Sequence, residues 1–185
     1  MGALAPSSAR LAHRLAEVIP GDGDPTVVEL GPGTGPVTSA IGRRLRGRGL
    51  HLALDTNAGL IAYLRTRHPD VVAYHTDAAD LLDVLARHRL DTADVIISGL
   101  PWTLFRADVQ ATLLDRITTA LHPTGVFTTF AYLNATPLQP ARRFRRLLHQ
   151  HFGEVLPTQT VWANFLPALT YVCRYPVPRT AGTGA

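Results

Sequence analysis

Hydrophobic positions along the chain follow two spacings in turn, and their order predicts a sheet whose strands are separated by helices. Short apolar runs rich in β-branched residues alternate with segments in which apolar residues recur every three or four positions. The predicted strands cover residues 26–31, 51–55, 71–74, 93–98, 125–132, 152–161 and 168–176. The predicted helices cover about 8–19, 36–47, 57–67, 81–85, 107–121 and 140–151. This order is typical of a doubly wound α/β fold.

The two ends of the pattern extend this prediction. The first helix is expected to be capped by Ser7 or Ser8 and to end before Pro20-Gly21. Its apolar face is formed by Leu11, Leu15 and Val18. The last two strands are joined by a connection too short for a parallel crossover, so they should be antiparallel. Residues 1–177 are expected to form one domain, and the Gly- and Ala-rich tail 178–185 is expected to be disordered.

Length and composition agree with an ordinary globular protein. The 185 residues are 46% hydrophobic and 17% charged, and no apolar run reaches the roughly 18 residues that a membrane span requires. The single cysteine, Cys173, excludes an internal disulfide and suits the reducing cytoplasm, where we expect the protein to be located. Because Cys173 lies in an apolar strand, we interpret it as an inert buried thiol. His149 and His151 lack neighbouring ligands, so no metal site is predicted.

All 18 basic residues are arginine, and the net charge is +4. The absence of lysine excludes chemistry at a lysine amine. Two arginine clusters occur: Arg43, Arg44, Arg46 and Arg48, and Arg142, Arg143, Arg145 and Arg146. Each cluster can be a solvated helix face, or a surface that attracts phosphate groups or an anionic membrane. No basic stripe with interleaved aromatic residues occurs, so a nucleic-acid partner is not expected.

The turn after the first predicted strand carries the strongest functional signal. The strand ends in Glu29-Leu30, and Gly31, Gly33 and Gly35 follow at spacings of two before a helix begins. Glycines in such a turn adopt positive φ and let the backbone approach a ligand closely. A strand, a glycine turn and a helix in this order support a nucleotide-type cofactor at the carboxyl end of a parallel strand.

The Glu-Leu-Gly-Pro-Gly-Thr-Gly motif at 29–35 resembles the cofactor loop of class I S-adenosylmethionine (SAM)-dependent methyltransferases. The resemblance implies a seven-stranded Rossmann-like sheet with helices on both faces and an antiparallel last strand. It also implies that the cofactor is SAM. The residues that it assigns to cofactor binding are Glu29, Gly31, Gly33, Gly35, Asp55, Thr56, Asp77, Ala78 and Ser98.

Each acidic residue in this set has two interpretations. The resemblance implies that Asp55 accepts hydrogen bonds from the ribose hydroxyls and that Asp77 accepts one from the adenine amino group. Each aspartate can instead cap the helix that follows it. Glu29 can face the ammonium group of the ligand or hold amides of the loop. The family has Gly-Asp-Ala where this chain has Thr76-Asp77-Ala78, so the backbone approach at Thr76 can differ.

The segment after the fourth strand indicates the acceptor. Ser-Gly-Leu-Pro at 98–101 is similar to a motif of bacterial phospholipid N-methyltransferases, which methylate phosphatidylethanolamine. Further matches to that family occur at 2–8, 130–132 and 162–168, where Leu166 replaces a proline. Family members usually carry an amphipathic helix before the first of these segments, whereas this sequence begins there. We therefore expect weaker membrane affinity than in the family.

The resemblance to these enzymes implies methyl transfer from SAM to an amine, with a phosphatidylethanolamine-type headgroup as the first choice of acceptor. The residues implied in catalysis are Tyr132, Ser98 and Trp102. Tyr132 is expected to accept a hydrogen bond from the amine, as are the backbone carbonyls of Ser98 and Gly99. The rings of Trp102, Phe105 and Trp162 can surround a cation or belong to the core. His75 can be a base, although a cap or surface role is the simpler interpretation.

Two alternatives stay open. In the first, a SAM-dependent methyltransferase acts on a soluble small-molecule or natural-product amine. In the second, which the arginine clusters motivate, a non-catalytic SAM-binding module attaches to an anionic surface or to RNA. Under the leading hypothesis the protein is cytoplasmic and contacts the inner face of the membrane peripherally through its arginines.

Overall fold

The computed structural model describes residues 8–177, which form a seven-stranded mixed sheet flanked by six α-helices. The strands are β1 (Thr26–Leu30), β2 (Leu50–Asp55), β3 (Val72–His75), β4 (Ala93–Ser98), β5 (Leu121–Tyr132), β6 (Phe152–Pro157) and β7 (Ala168–Pro176). The helices are α1 (Ala9–Ala16), α2 (Pro36–Leu45), α3 (Ala58–Arg67), α4 (Leu81–Arg87), α5 (Ala107–Ala120) and α6 (Gln139–His151). Single 3₁₀ turns occur at Ala78–Asp80, Trp102–Leu104 and Leu133–Ala135.

The strand order is β3-β2-β1-β4-β5-β7-β6, which confirms the predicted fold class. Strands β1 to β5 pair in parallel, and β7 is antiparallel to both of its neighbours, β5 and β6. The chain reverses its direction across the sheet between β1 and β4. Ligands of open α/β sheets bind beyond the carboxyl ends of the strands at such a switch point.

Helices cover both faces of the sheet because β1, β2 and β4 are apolar on both sides. On one face α1 and α2 pack on Val27, Val95 and Ile97, and α3 packs on Ala53. On the other face α4, α5 and α6 pack in a larger cluster that includes Phe127. Strands that are buried on both faces consist of continuous runs of apolar residues, and these runs are the pattern from which the strands were predicted.

The element boundaries differ from the prediction most clearly at α1, β5 and β6, and β6 ends at Pro157 rather than at residue 161. The Oγ of Ser8 caps α1 by accepting a hydrogen bond from the Leu11 amide at 3.2 Å, but the helix ends at Ala16, before Val18. Strand β5 begins at Leu121 rather than Gly125, with a shift in its register against β4 between Ala93 and Val95. The predicted tail at 178–185, and residues 2–7 of the segment that resembles the phospholipid enzymes, lie outside the described residues.

Candidate cofactor and acceptor site

The glycine turn after β1 adopts the backbone conformation that its sequence predicts. Gly31, Gly33 and Gly35 have φ angles of +72°, +56° and +90°, and α2 begins directly afterwards at Pro36. Proline is favoured at the first helical position because its missing N–H has no partner there in any case. The Gly31 amide donates to the Leu54 carbonyl of β2 at 2.9 Å, which holds the turn at the carboxyl edge of the sheet.

The three glycines meet different surroundings. A Cβ on Gly31 would lie 2.9 Å from Cδ2 of Leu100, and a Cβ on Gly35 would lie 3.1 Å from Nε2 of His68. These two positions therefore serve packing within the chain. A Cβ on Gly33 would meet no atom within 4 Å. Of the three, Gly33 is the position at which exposed backbone faces free space, as a cradle for a ligand requires.

The two aspartates lie at the ends of the strands next to this turn. Oδ2 of Asp55 accepts a hydrogen bond from the Gly33 amide at 3.4 Å, while Oδ1 accepts from the Asn57 amide at 2.9 Å. Asp77 follows β3 and is exposed, and its Oδ1 accepts from the Ala79 amide at 2.8 Å. Both side chains thus stabilise the turns that follow them. The second carboxylate oxygen of Asp77 accepts no hydrogen bond within residues 8–177, which leaves it able to accept one from a ligand.

Glu29 lies under the turn, buried between β1, β2 and α2. Its Oε2 accepts from the Thr38 hydroxyl at 2.8 Å and contacts Nε2 of His51 at 3.1 Å. Its other oxygen, Oε1, is buried without a hydrogen-bond partner among the described residues. Such an orphaned acceptor costs free energy unless a ligand or water satisfies it.

These observations fit an adenosyl cofactor. Gly33 offers an open backbone cradle, and Asp55 contacts the cradle from the next strand. Asp77 adds a carboxylate after β3, which lies one strand further along the edge. Thr56 is exposed directly after Asp55, and Ala78 begins the 3₁₀ turn after Asp77. The predicted cofactor residues after β1, β2 and β3 therefore share one edge of the sheet.

A cavity of about 520 Å³ lies on the same edge, beyond the carboxyl ends of β4 and β5. It is lined by Gly99–Leu104, Phe130–Tyr132, Asn134–Thr136, Ala141, Arg142, Phe144, Arg145, Pro157, Leu166, Leu169 and Tyr171. The cavity abuts the glycine turn, because a Cβ on Gly99 would lie 2.6 Å from the Gly31 carbonyl oxygen. A volume of this order is typical of a site for a small molecule or a lipid headgroup.

Trp102 and Tyr132, two of the predicted catalytic residues, line this cavity. Trp102 is buried and stacks on Phe144, with ring centroids 4.4 Å apart. Tyr132 is half-buried and packs edge-on against Phe130 at 5.3 Å. Burial raises the pKa of the Tyr132 hydroxyl above its ordinary value near 10, so the phenol is neutral at physiological pH.

Ser98, the third predicted catalytic residue, is buried at the end of β4 and forms hydrogen bonds within the chain. Its Oγ accepts from the Trp102 indole N–H at 3.1 Å and from the Leu100 amide at 3.3 Å. Its carbonyl accepts from the Thr129 hydroxyl at 3.1 Å. The Ser98 side chain therefore fixes the wall of the cavity, whereas the neighbouring Gly99 lines it.

Three further sequence candidates lie outside the cavity lining. Phe105 packs against the larger core cluster, and Trp162 is 74% exposed in the connection between β6 and β7. His75 is exposed, and its Nε2 lies 3.0 Å from the Thr56 carbonyl. This contact agrees with the simpler interpretation of His75 as a residue that stabilises the loop.

Among the lining residues that had no assigned site role in the sequence analysis are Phe144, Tyr171, Arg142 and Arg145. The arginines had a partial signal, since they belong to a noted cluster and stand three apart on one helix. Tyr171 had none, because it lies in the buried run 170–173 of β7, where a tyrosine resembles the rest of the core. Burial raises the pKa of Tyr171, while the nearby charge of Arg145 lowers it.

The two arginine clusters lie at opposite edges of the sheet. Arg44 donates to the Ile19 carbonyl at 2.9 Å and Arg48 to the Gly23 carbonyl at 2.6 Å, so both hold the loop that precedes β1. The second cluster begins near the first turn of α6, at the edge where the cavity opens. Only this second cluster is therefore next to the candidate site.

Asn164 connects the β6–β7 segment to the beginning of the described chain. Its Oδ1 accepts from the Ser8 amide at 2.8 Å, and its Nδ2 donates to the Leu166 carbonyl at 2.8 Å. Leu166 in turn lines the cavity. Two separate regions that resemble the phospholipid enzymes, before α1 and before β7, are thus in direct contact beside the site.

The chain is 30% identical to an ornithine lipid N-methyltransferase from Singulisphaera acidiphila. The alignment spans 177 residues and covers 94% of this chain and 88% of that protein. No protein-family profile matches it. Its fold is similar to that of the N-methyltransferase NodS from Bradyrhizobium japonicum WM9 (TM-score 0.66, 14% identity, 91% of this chain and 94% of NodS). It is also similar to fibrillarin from Aeropyrum pernix, solved with natively bound S-adenosyl-L-methionine (TM-score 0.62, 14% identity, 86% and 72%). Within residues 8–177, no helix has the length and apolar character needed to cross a membrane.

Proposed function

Since the chain belongs to the class I SAM-dependent methyltransferases, and its cofactor is SAM, we propose that it methylates the amine of a lipid headgroup. The observation that carries this proposal is the cavity at the ends of β4 and β5, which abuts the glycine turn through the contact between Gly99 and Gly31. Bound SAM supplies an electrophilic methyl group on a sulfonium. A cofactor site and an acceptor cavity that share a wall suit direct transfer between two bound molecules.

In this proposal the residues of the sheet edge divide between holding the cofactor and shaping the acceptor site. Gly33 cradles SAM, Asp55 accepts from its ribose, and Asp77 accepts from its adenine. Glu29 holds the floor of the turn through Thr38 and His51, as its hydrogen bonds indicate. Ser98 acts as a positioning residue for Trp102, to which it is hydrogen-bonded.

Tyr132 is the residue that we assign to the acceptor amine. Its neutral phenol oxygen can accept a hydrogen bond from the amine N–H and so orient the nitrogen lone pair. Methyl transfer to a neutral amine needs alignment above all, and holding two reactants in line can lower a barrier by about 7–11 kcal/mol. The apolar wall formed by Trp102, Phe130 and Phe144 excludes water and favours the uncharged amine.

We further propose that the mouth of the cavity faces a membrane. The large apolar residues Leu104, Leu138, Trp162 and Phe165 are 70%, 55%, 74% and 78% exposed. Leu104 itself lines the cavity, and the other three belong to segments that supply lining residues. The arginines of α6 lie at the same edge. Exposed aromatic and apolar side chains beside arginines suit the interface of an anionic bilayer.

The test is methylation by the full chain with SAM that carries a labelled methyl group. The acceptors are vesicles of phosphatidylcholine that contain either phosphatidylethanolamine or ornithine lipid, beside free ethanolamine in solution. We expect label in at least one lipid and little in ethanolamine, with Asp55→Ala as the inactive control. Label that appears only in the soluble amine would replace the lipid acceptor by a soluble one. Absence of transfer together with absence of calorimetric SAM binding would overturn the proposal.

A further inference from the structure

The charged residues that line the acceptor cavity are all positive. Arg142 and Arg145 are its charged lining residues, and no aspartate or glutamate among the described residues lines it. An amine that carries only positive charge would therefore meet two guanidinium groups and no countercharge. A cavity of this kind is complementary to an acceptor that also carries an anionic group.

Arg142 and Arg145 are free to bind such a group. They stand three residues apart on α6, on one side of the helix, and both side chains are exposed. Neither side chain forms an ion pair within residues 8–177. By contrast, Arg143 donates to Oε1 of Gln110 at 3.0 Å and to the Phe105 carbonyl at 3.3 Å. The arginine between them is structural, and the two that line the cavity are uncommitted.

We propose that Arg142 and Arg145 form an anion subsite, which binds the phosphate or carboxylate of a zwitterionic amine acceptor. Guanidinium groups match these anions with paired, charge-assisted hydrogen bonds. Tyr132 and the α6 arginines line one cavity. The subsite therefore selects acceptors that present an amine and an anion together. This inference rests on the proposed function, because it names what the same cavity selects.

The test compares Arg142→Gln, Arg145→Gln and the double variant with Arg146→Gln. Arg146 is exposed on the same helix but does not line the cavity, so its variant is a control for loss of charge alone. Methylation is measured with phosphatidylethanolamine, with ornithine lipid and with a long-chain alkylamine that has no anion, all in phosphatidylcholine vesicles. The first two acceptors distinguish a phosphate from a carboxylate as the anion.

We expect each single variant to raise the KM for the preferred zwitterionic lipid by about tenfold or more, with little change in kcat. The alkylamine should react at least as well with the variants as with the wild type, because the variants remove positive charge from the cavity. A KM equal to that of Arg146→Gln would overturn the subsite, as would an equal loss with the alkylamine. Wild-type activity on a lipid, with unchanged variants, would refute the subsite and leave the proposed function standing.

A second measurement is independent of methyl transfer. Glycerophosphoethanolamine is a soluble zwitterionic amine, and its affinity for the full chain is measured by titration calorimetry in the presence of S-adenosylhomocysteine, which has no methyl group to transfer. Binding to wild type and to Arg146→Gln, with at least tenfold weaker binding to the double variant, would support the subsite. If the wild type binds neither this compound nor a soluble amine with a free carboxylate, Nα-acetylornithine, the subsite is refuted even where activity is too low to measure.

Discussion

At the scale of single residues, the three glycines of the first turn have different surroundings. Gly31 and Gly35 pack closely against neighbouring side chains, whereas Gly33 faces open space. Replacing Gly33 by alanine should keep the fold but weaken SAM binding by tenfold or more, because the new methyl group would occupy the cradle. The control is Gly23→Ala, since Gly23 also has a positive φ, at +69°, and an equally open Cβ position. Both variants should lose about 1–2 kcal/mol of stability from the left-handed conformation.

Calorimetric titration with SAM, together with urea unfolding, checks this difference between the two glycines. The prediction fails if Gly33→Ala binds SAM as tightly as Gly23→Ala does. In that case the open space at Gly33 would be solvent rather than the cofactor cradle.

Tyr132 has a second prediction at the residue scale. Tyr132→Phe should lower kcat by about two- to tenfold, since a neutral hydrogen bond contributes about 0.5–1.5 kcal/mol. Because burial raises the pKa of Tyr132 above its ordinary value near 10, its hydroxyl stays mainly protonated up to pH 10. The wild-type rate should therefore rise with pH and should not fall between pH 9 and pH 10. A fall in that range that is absent from Tyr132→Phe would contradict this prediction. Steady-state rates against pH, with the exposed Tyr175→Phe as control, measure both effects.

At the scale of the elements, the turn that carries Trp102 depends on α5 and α6. The buried Gln110 of α5 donates to the Trp102 carbonyl at 2.5 Å, and Arg143 of α6 bonds both Gln110 and the Phe105 carbonyl. Arg143→Gln should cost about 1–3 kcal/mol, because the buried oxygen of Gln110 loses its donor. Urea unfolding measures this cost, and methylation should fall with it. Equal stability of Arg143→Gln and Arg146→Gln would show that the contact does not hold the turn.

The same elements show what local patterns can and cannot predict. Helix α6 was predicted from the sequence as a basic helix after Pro140, and in the structure Phe144 and Leu148 lie on its buried side. The sequence does not show which of the other sides of α6 faces the cavity, because this depends on β7. Strand β7 inserts between β5 and β6 and brings Tyr171 beside Thr129. That insertion is a long-range choice of strand order, which no local period records. For the same reason the packing role of Gly35 was hidden, since its neighbour His68 lies at the far end of α3.

At the scale of the whole molecule, buried ionisable groups make stability depend on alkaline pH. Burial raises the pKa of the Cys173 thiol well above its ordinary value near 9. The thiol therefore ionises first in the unfolded chain, and stability that is complete below pH 9 is lost as the pH rises. For one such group the loss should be about 1 kcal/mol between pH 9 and pH 10, and it should approach about 1.4 kcal/mol per pH unit at higher pH. Tyr132 and Tyr171 act in the same direction above pH 10.

Urea unfolding at pH 8, 9 and 10 measures this loss in the wild type and in Cys173→Ala. The variant starts from a lower stability, because it leaves a small cavity in the core, but its slope between pH 9 and 10 should be shallower. Parallel slopes for the two proteins would mean that Cys173 does not contribute.

The exposed apolar residues around the cavity lead to a prediction about the molecule as a whole. Trp162 and Phe165 lie before β7, at the edge of the sheet where the cavity opens, whereas Tyr175 is an exposed aromatic near the opposite end of β7. If the cavity mouth faces the bilayer, Trp162→Ala with Phe165→Ala should weaken binding to anionic vesicles by tenfold or more. Burying a large apolar side chain contributes about 1.5–3 kcal/mol, and insertion at an interface recovers part of that.

Vesicle co-sedimentation at several salt concentrations separates this apolar contribution from the attraction of the α6 arginines. Salt screens the arginine term, so binding that survives high salt should depend on Trp162 and Phe165. Tyr175→Ala should bind as the wild type does, because that side chain lies away from the mouth. If all three proteins sediment alike at every salt concentration, the exposed rim does not enter the membrane. A lipid would then have to reach Tyr132 by leaving the bilayer.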